Sequence, residues 1–226
     1  VGKDDVGGVK RGRARLNFNN KEQHMSSLYR IAFGLGLTVW VAASAQAEEW
    51  KVAKNEEGIK VSLSEVAGSQ YKAYQGVTTI KAGIGKLRAL QEDVVAACAW
   101  IHECKLQKIL KHEGDKTWTY SQFNTPWPVT PRDSVLKVTT VEGADGSVTR
   151  ELEADPKYIP EEKGFVRVAQ VEGFWKFVPK GENLTEVTYQ VHTEPGGSVP
   201  SWLANKFVVD APFNTLKALK DRAEKN

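Results

Sequence analysis

Beyond residue 50, apolar and polar residues alternate along most of the chain, and alternation at period two marks strands with one wet face. Gly58 to Leu63 is the first such run and Tyr71 to Ile80 the second. The period then changes. Ile84, Leu87, Leu90, Val94 or Val95, Cys98 and Ile101 recur at helical spacing, with Lys86, Arg88, Glu92 and Asp93 between them, which predicts one amphipathic helix. Period two returns in Lys105 to Leu110, Lys116 to Phe123, Ser134 to Val141, Val148 to Leu152, Phe165 to Val171, Phe174 to Val178 and Leu184 to His192. The breaks at Gly114-Asp115, Gly143 to Gly146 and Lys180 to Asn183 are short joints of the kind that make antiparallel hairpins. From Pro200 to Ala223, the residues Ala204, Val208, Pro212, Leu216, Leu219 and Ala223 form one stripe opposite Lys206, Asp210, Lys217 and Asp221. This predicts a long helix with one face to bury, kinked or interrupted at Pro212, where an amide is missing and the ring clashes.

That order of elements predicts an α+β fold in which a curved antiparallel β-sheet wraps around the long C-terminal helix. A bent sheet and a rod cannot touch everywhere. The geometry therefore leaves space for an apolar cavity and an apolar ligand.

The first 47 residues read differently. Met25 to Ala47 has a short start with Arg30, an uncharged run from Ile31 to Ala43 and then Ala45-Gln46-Ala47, the three parts of a signal peptide, with cleavage expected after Ala47. The uncharged run rises only about 20 Å as a helix, short of the roughly 30 Å of a bilayer core. Val1 to His24 precede that leader and are read as an upstream extension from a misassigned start, and residues 48–226 as the mature domain, periplasmic or secreted. The whole chain carries 31 Lys and Arg against 28 Asp and Glu, but without residues 1–47 the balance is 24 against 25. Steering toward nucleic acid is thus not expected, and Lys10 to Arg15 is not read as a nucleic-acid arm.

With 41% hydrophobic and 26% charged residues the chain is neither disordered nor low-complexity. It contains no G-x-S-x-G, H-E-x-x-H, G-x-x-x-x-G-K-[ST] or strand-to-helix G-x-G-x-x-G motif, so no catalytic residue or cofactor is expected. Cys98 and Cys104 would stand about 9 Å apart along a continuous helix, so a bridge between them requires the helix to end first. In an oxidising compartment a disulfide is the preferred reading. The competing zinc site of Cys98, His102, Cys104 and His112 has a spacing that matches no closed pattern, and no metal is expected.

The run Pro126 to Asp133 (PWPVTPRD), with Val166-Arg167-Val168, Gly173-Phe174-Trp175, Thr185 to Tyr189 and Glu194 to Leu203, resembles the START (steroidogenic-acute-regulatory-related lipid transfer) domain family, most of all its secreted bacterial members. The resemblance spans Trp50 to Ala223. It implies a helix-grip fold around a tunnel for one lipid or sterol, with binding or transfer and no bond made or broken. Sterol carriers of the family have an inward arginine six residues after the one matched by Arg132, and a carboxylate on the preceding strand. Here the matching places are Val138 and, approximately, Ser121, which implies an acyl-chain lipid or another hydrophobic molecule instead. Arg132 and Asp133 match a family step that orders the chain and are read as structural. Related helix-grip proteins include polyketide cyclases and aromatases, so a cyclase-like enzyme is one alternative, and a lipid-sensing interaction protein another.

Period two sorts the faces. Phe165, Arg167, Ala169 and Val171 share one side, Val187, Tyr189 and Val191 another, and Trp175 and Phe177 lie opposite Lys176. The expected ligand lining is Arg167, Ala169, Trp175, Phe177, Val187 and Tyr189, joined by Leu136 and Val138 from an earlier strand and Phe207 and Val208 from the helix. Arg167, flanked by apolar neighbours, needs a carboxylate or a ligand head group, and the head group is the expectation. The terminal helix and the loop Asp155 to Gly164 are the expected lid, with Pro212 as hinge. A monomer in transient contact with a membrane completes the reading.

Overall fold

The computed structural model describes residues 49–126 and 128–225; the leader and its cleavage point lie outside the described residues. In chain order the elements are β1 (Lys51–Glu56), β2 (Ile59–Ser64), β3 (Ala73–Ile80), α1 (Ile84–Glu92), α2 (Val94–Ala97), β4 (Cys104–Glu113), β5 (Lys116–Phe123), β6 (Arg132–Glu142), β7 (Val148–Ala154), β8 (Val166–Arg167), β9 (Gln170–Gly181), β10 (Leu184–Glu194) and α3 (Ser201–Glu224). They form one curved sheet of order β1-β2-β3-β10-β9-β7-β6-β5-β4, antiparallel throughout except that β8 lies parallel on β6. The α+β helix-grip architecture expected from the pattern is the one observed.

Local departures have local causes. β1 carries no alternation because it is an edge strand with nearly every residue exposed, and it joins β2 through Glu57 and Gly58, whose φ of 51° and 72° make the left-handed pair of a tight hairpin. The single early helix breaks at Asp93, whose carboxylate accepts from the Ala96 amide at 3.1 Å and caps α2. α2 then ends at Ala97, and the turns that follow, with Glu103 at a φ of 56°, let Cys98 and Cys104 approach to 4.9 Å between Cα atoms and join in a disulfide. The strand expected from Phe165 to Val171 splits: Val166 and Arg167 pair with β6, and Gln170 and Val171 open β9, which pairs with β10 and runs on through Phe174. Pro212 does not interrupt α3.

The solid core lies under the C-terminal half of α3. Phe213, Leu216, Leu219 and Ala223 are buried against Ile59, Val61, Ile80, Phe177 and Val187, and Leu87 and Trp100 close the sides. Each large side chain fully buried there stabilises the fold by about 1.5–3 kcal/mol. Gly76 on β3 makes this contact possible, since a Cβ at that position would stand 2.5 Å from Leu216 Cδ1 and 3.5 Å from Pro212 Cβ. On β9, a Cβ at Gly173 would stand 2.2 Å from the Gln190 carbonyl oxygen of β10, a close backbone approach that only glycine permits. The disulfide loop hangs Trp100 into the core, and the His102 amide donates to Thr215 Oγ1 at 3.0 Å, tying that loop to α3.

Two measurements check this account. Gly76→Ala should lower stability by about 1–3 kcal/mol through overpacking. Gly85→Ala, with open space around it in α1, should leave the urea midpoint unchanged or raise it. Reducing the disulfide should cost about 2 kcal/mol, the loop-closure value for so short a ring, read as the shift in urea midpoint with and without reductant.

Candidate functional site

The concave face can be read rung by rung across the sheet. One rung runs Thr140, Arg150, Trp175, Tyr189, Gly76 and Val61, and the next Val138, Leu152, Gly173, Val191, Tyr74 and Leu63. A third continues with Leu136, Ala154 on the side of β6 and β7. On the far side, Thr117, Thr119 and Ser121 of β5 and Gln107 of β4 make this face polar, with the Gln107 amide donating to Ser121 Oγ at 3.0 Å. Ser121 and Val138 therefore sit two rungs apart with no ion pair between them.

Packing changes character along α3. Its last three turns lie in the solid core, whereas Phe207 and Val208 in its first half are only half-buried, as are Leu136, Leu152 and Tyr189 on the sheet below. Apolar side chains left half-wet beneath a helix mark unfilled space. A cavity of about 350 Å³ opens beside the first half of α3, lined by Leu203, Lys206, Phe207 and Asp210 of the helix, His102 and Glu103, and Asn124 and Pro126 of the loop after β5. A second, of about 650 Å³, lies under α1 against Ile109, Thr117, Thr140 and Arg150. Both fall within the size of small-molecule sites. A third depression, of about 970 Å³, lies over the outer, polar rungs that carry Glu151, Phe174 and Gln190.

An aromatic ladder lies on the concave face where it meets the core. Tyr189 stacks on Trp175 with ring centres 3.8 Å apart, Tyr74 meets Tyr189 edge-on at 5.3 Å, and Trp100 meets Trp175 edge-on at 6.0 Å. Burial, and for Tyr74 also the neighbouring Tyr189, pushes both phenols above their ordinary pKa. They stay neutral hydrogen-bonding groups across physiological pH.

Arg167 does not face this space as a free cation. Its Nε and Nη2 donate to Asp133 Oδ1 and Oδ2, both at 2.9 Å, and the remaining donors reach the carbonyls of Pro156, Ile159 and Pro160 at 2.8–3.1 Å. The hydrogen bonds to Asp133 raise the Arg167 pKa. With the pair 4% and 1% exposed and five donor contacts made, the guanidinium has nothing left for a ligand, so the structural ion pair replaces the expected head-group role. The same bonds staple the loop Asp155 to Gly164, which Trp118 also holds by stacking on Tyr158 and donating to Asp155 Oδ2. That loop is not a free lid. Arg132 ties β6 to the turn before α3 through the carbonyls of Pro195 and Gly196.

The other expected lining residues divide. Phe207 lines the cavity beside α3, Leu136 and Val208 are half-buried, Val138 is buried and Tyr189 packs against the core. Trp175, Phe177 and Val187 point inward as expected but lie in the solid core. Ala169 is exposed beyond the end of β8 and takes no part. Sequence reasoning missed Arg150 and Leu152, although Val148, Arg150 and Leu152 alternate on one face just as the residues around Arg167 do.

The family model of the START domain matches residues 39–226. An uncharacterized protein of Pseudomonas aeruginosa is 59% identical over 201 residues, 89% of this chain and 100% of that protein. A solved STAR-related lipid transfer protein from Xanthomonas axonopodis is 39% identical with a TM-score of 0.73, over 78% of this chain and 99% of that one. Human StAR-related lipid transfer protein 5 superposes with a TM-score of 0.68 over 77% of this chain and 86% of its own at 17% identity, a likeness of fold alone.

Asp133→Asn should destabilise the protein by about 3–5 kcal/mol, because it strands a buried guanidinium. Thermal and urea unfolding check it, and the loss should vary little with salt because the pair is shielded from solvent.

Proposed function

The chain belongs to the START domain family, and from that premise we propose that it binds one hydrophobic molecule between the concave sheet face and the first half of α3, and carries it unchanged. The observation that carries this reading is the cavity against Leu203 and Phe207, with Leu136, Phe207 and Val208 left half-buried, beside a core that is packed solid a few residues farther along the same helix. An acyl chain in water exposes apolar surface at about 0.8 kcal/mol per CH₂. Seating it against these residues removes that cost from chain and protein together.

The anchoring of α3 supports a gating role for its first half. The C-terminal half is locked at Gly76 and Leu216, and Pro212 sits at the boundary, with no amide to complete the helical hydrogen bond at that position. Opening the first half would expose Phe207 and Val208 to an incoming ligand while the core stays intact. Trp202, 70% exposed on the first turn of α3, and Lys206 beside the cavity mouth supply an aromatic ring and a cation for transient contact with a membrane surface. Among the described residues no helix is long and apolar enough to cross a membrane. The Cys98–Cys104 disulfide accords with a periplasmic or secreted location.

The test is native mass spectrometry of protein purified from its own host, followed by delipidation and incubation with vesicles of defined phospholipids and free fatty acids. One bound molecule per chain, recovered with unaltered mass, is the expected result. Failure to extract any component, or recovery of a chemically altered one, overturns the carrier reading. Leu152→Trp, which fills the space, should reduce extraction at least tenfold with far less effect on the urea midpoint than Asp133→Asn.

A further inference from the structure

Three buried side-chain polar atoms among the described residues lack any hydrogen-bond partner, and two of them lie together: Arg150 Nε and Gln91 Nε2. Arg150 is 6% exposed on the concave face and half of its rung is apolar, with Trp175 beside it on β9. Its Nη1 makes one long contact, 3.5 Å to Gln91 Oε1, which orients the Gln91 amide so that its nitrogen is the unsatisfied end. Both orphans are donors. What is missing is an acceptor.

Among the described residues no carboxylate pairs with Arg150. Glu92 and Glu142, on the wall of the same cavity, are held by Arg88 at 2.7 Å and 2.5 Å. Burial accordingly pushes the Arg150 pKa down, against the opposing pull of Glu92. Arg167 shows how the same fold treats a buried guanidinium that serves structure: five contacts, two of them to a carboxylate. Arg150 also lines the cavity of about 650 Å³ under α1, together with Ile109, Thr117 and Thr140, the carboxylates Glu92, Asp115 and Glu142, and the cation Arg88 that holds two of those carboxylates. A buried, unpaired cation is costly in a folded protein unless something completes it.

We propose that Arg150 and Gln91 form an anion site that takes the acidic head group, carboxylate or phosphate, of the molecule the protein carries. This rests on the carrier reading above and adds the ligand's charge and orientation. The head group meets Arg150 at the α1 end, and the tail runs along Val138, Leu152 and Leu136 toward Phe207. The next rung after Thr140 and Arg150 is Val138 and Leu152, so polar and apolar lining are already in the order an anionic amphiphile needs.

Binding of a fluorescent C18 polyene fatty acid and of its methyl ester, measured at pH 8, tests this on the intact protein. The wild type should bind the acid at least tenfold more tightly, the range for a buried charge-assisted hydrogen bond. Arg150→Met should bring the ratio near one by weakening acid binding, and Gln91→Leu, which leaves the charge intact, should reduce the ratio in part. Equal binding of acid and ester by the wild type overturns the anion site and leaves the carrier reading standing; binding of neither overturns both. The wild-type ratio decides the matter even if Arg150→Met does not fold. Acetate and inorganic phosphate, added as tail-less anions, separate the sources: failure to displace the acid at millimolar concentration assigns the site to a lipid head group, whereas an acid that Arg150→Met binds as selectively as the wild type rejects the proposal.

Discussion

Everything distinctive about this molecule depends on how closely α3 can lie against β3. At Gly76 the helix comes down until Leu216 occupies the space a side chain would need, and that contact anchors its C-terminal half. The sheet curves beneath the helix, so the helix is pressed home at Leu216 and Leu219, seated again at Leu203 and Ala204 of its first turn, and less fully packed between. The half-buried state of Phe207 and Val208 follows from the burial of Leu216 and Leu219. A core and a cavity are thus two ends of one packing problem, and the same helix supplies residues to both.

Two buried arginines show how the fold separates support from binding. Arg167 lies at the parallel contact between β8 and β6, which sets it beside Asp133, and it spends two donor contacts on that carboxylate and three on the Asp155 to Gly164 loop. Arg150 lies in the middle of the antiparallel sheet, where its strand neighbours are Thr140 and Trp175, and neither carries a charge. Buried guanidinium groups of equal intrinsic chemistry therefore differ in what they can still do. One is complete without a ligand, and the other is not.

Much of the architecture was legible because it is local. Strand and helix periods are properties of neighbouring residues, and the switch between them located the hairpins, the early helix and the long terminal helix. Where a signal had no local basis the reading failed. β1 shows no alternation because neither of its faces is buried, and the expected strand from Phe165 splits because its pairing partner on β6 offers only two positions. The early helix ends at Asp93 because a side-chain cap competes with continuation, a preference that apolar spacing does not report.

The chain's own pattern determined the fold class and the inward direction of Trp175, Phe177, Val187 and Tyr189, whereas the early end of α2 decided the proximity that allows Cys98 and Cys104 to join. Tertiary structure alone decided which inward residues are core and which face open space, because that depends on where a straight helix leaves a bent sheet. It also decided which arginine is satisfied. Arg150 and Arg167 have the same setting in sequence, a cation among alternating apolar residues, and the carboxylate that neutralises one of them is 34 positions away in the chain, brought near only by strand pairing.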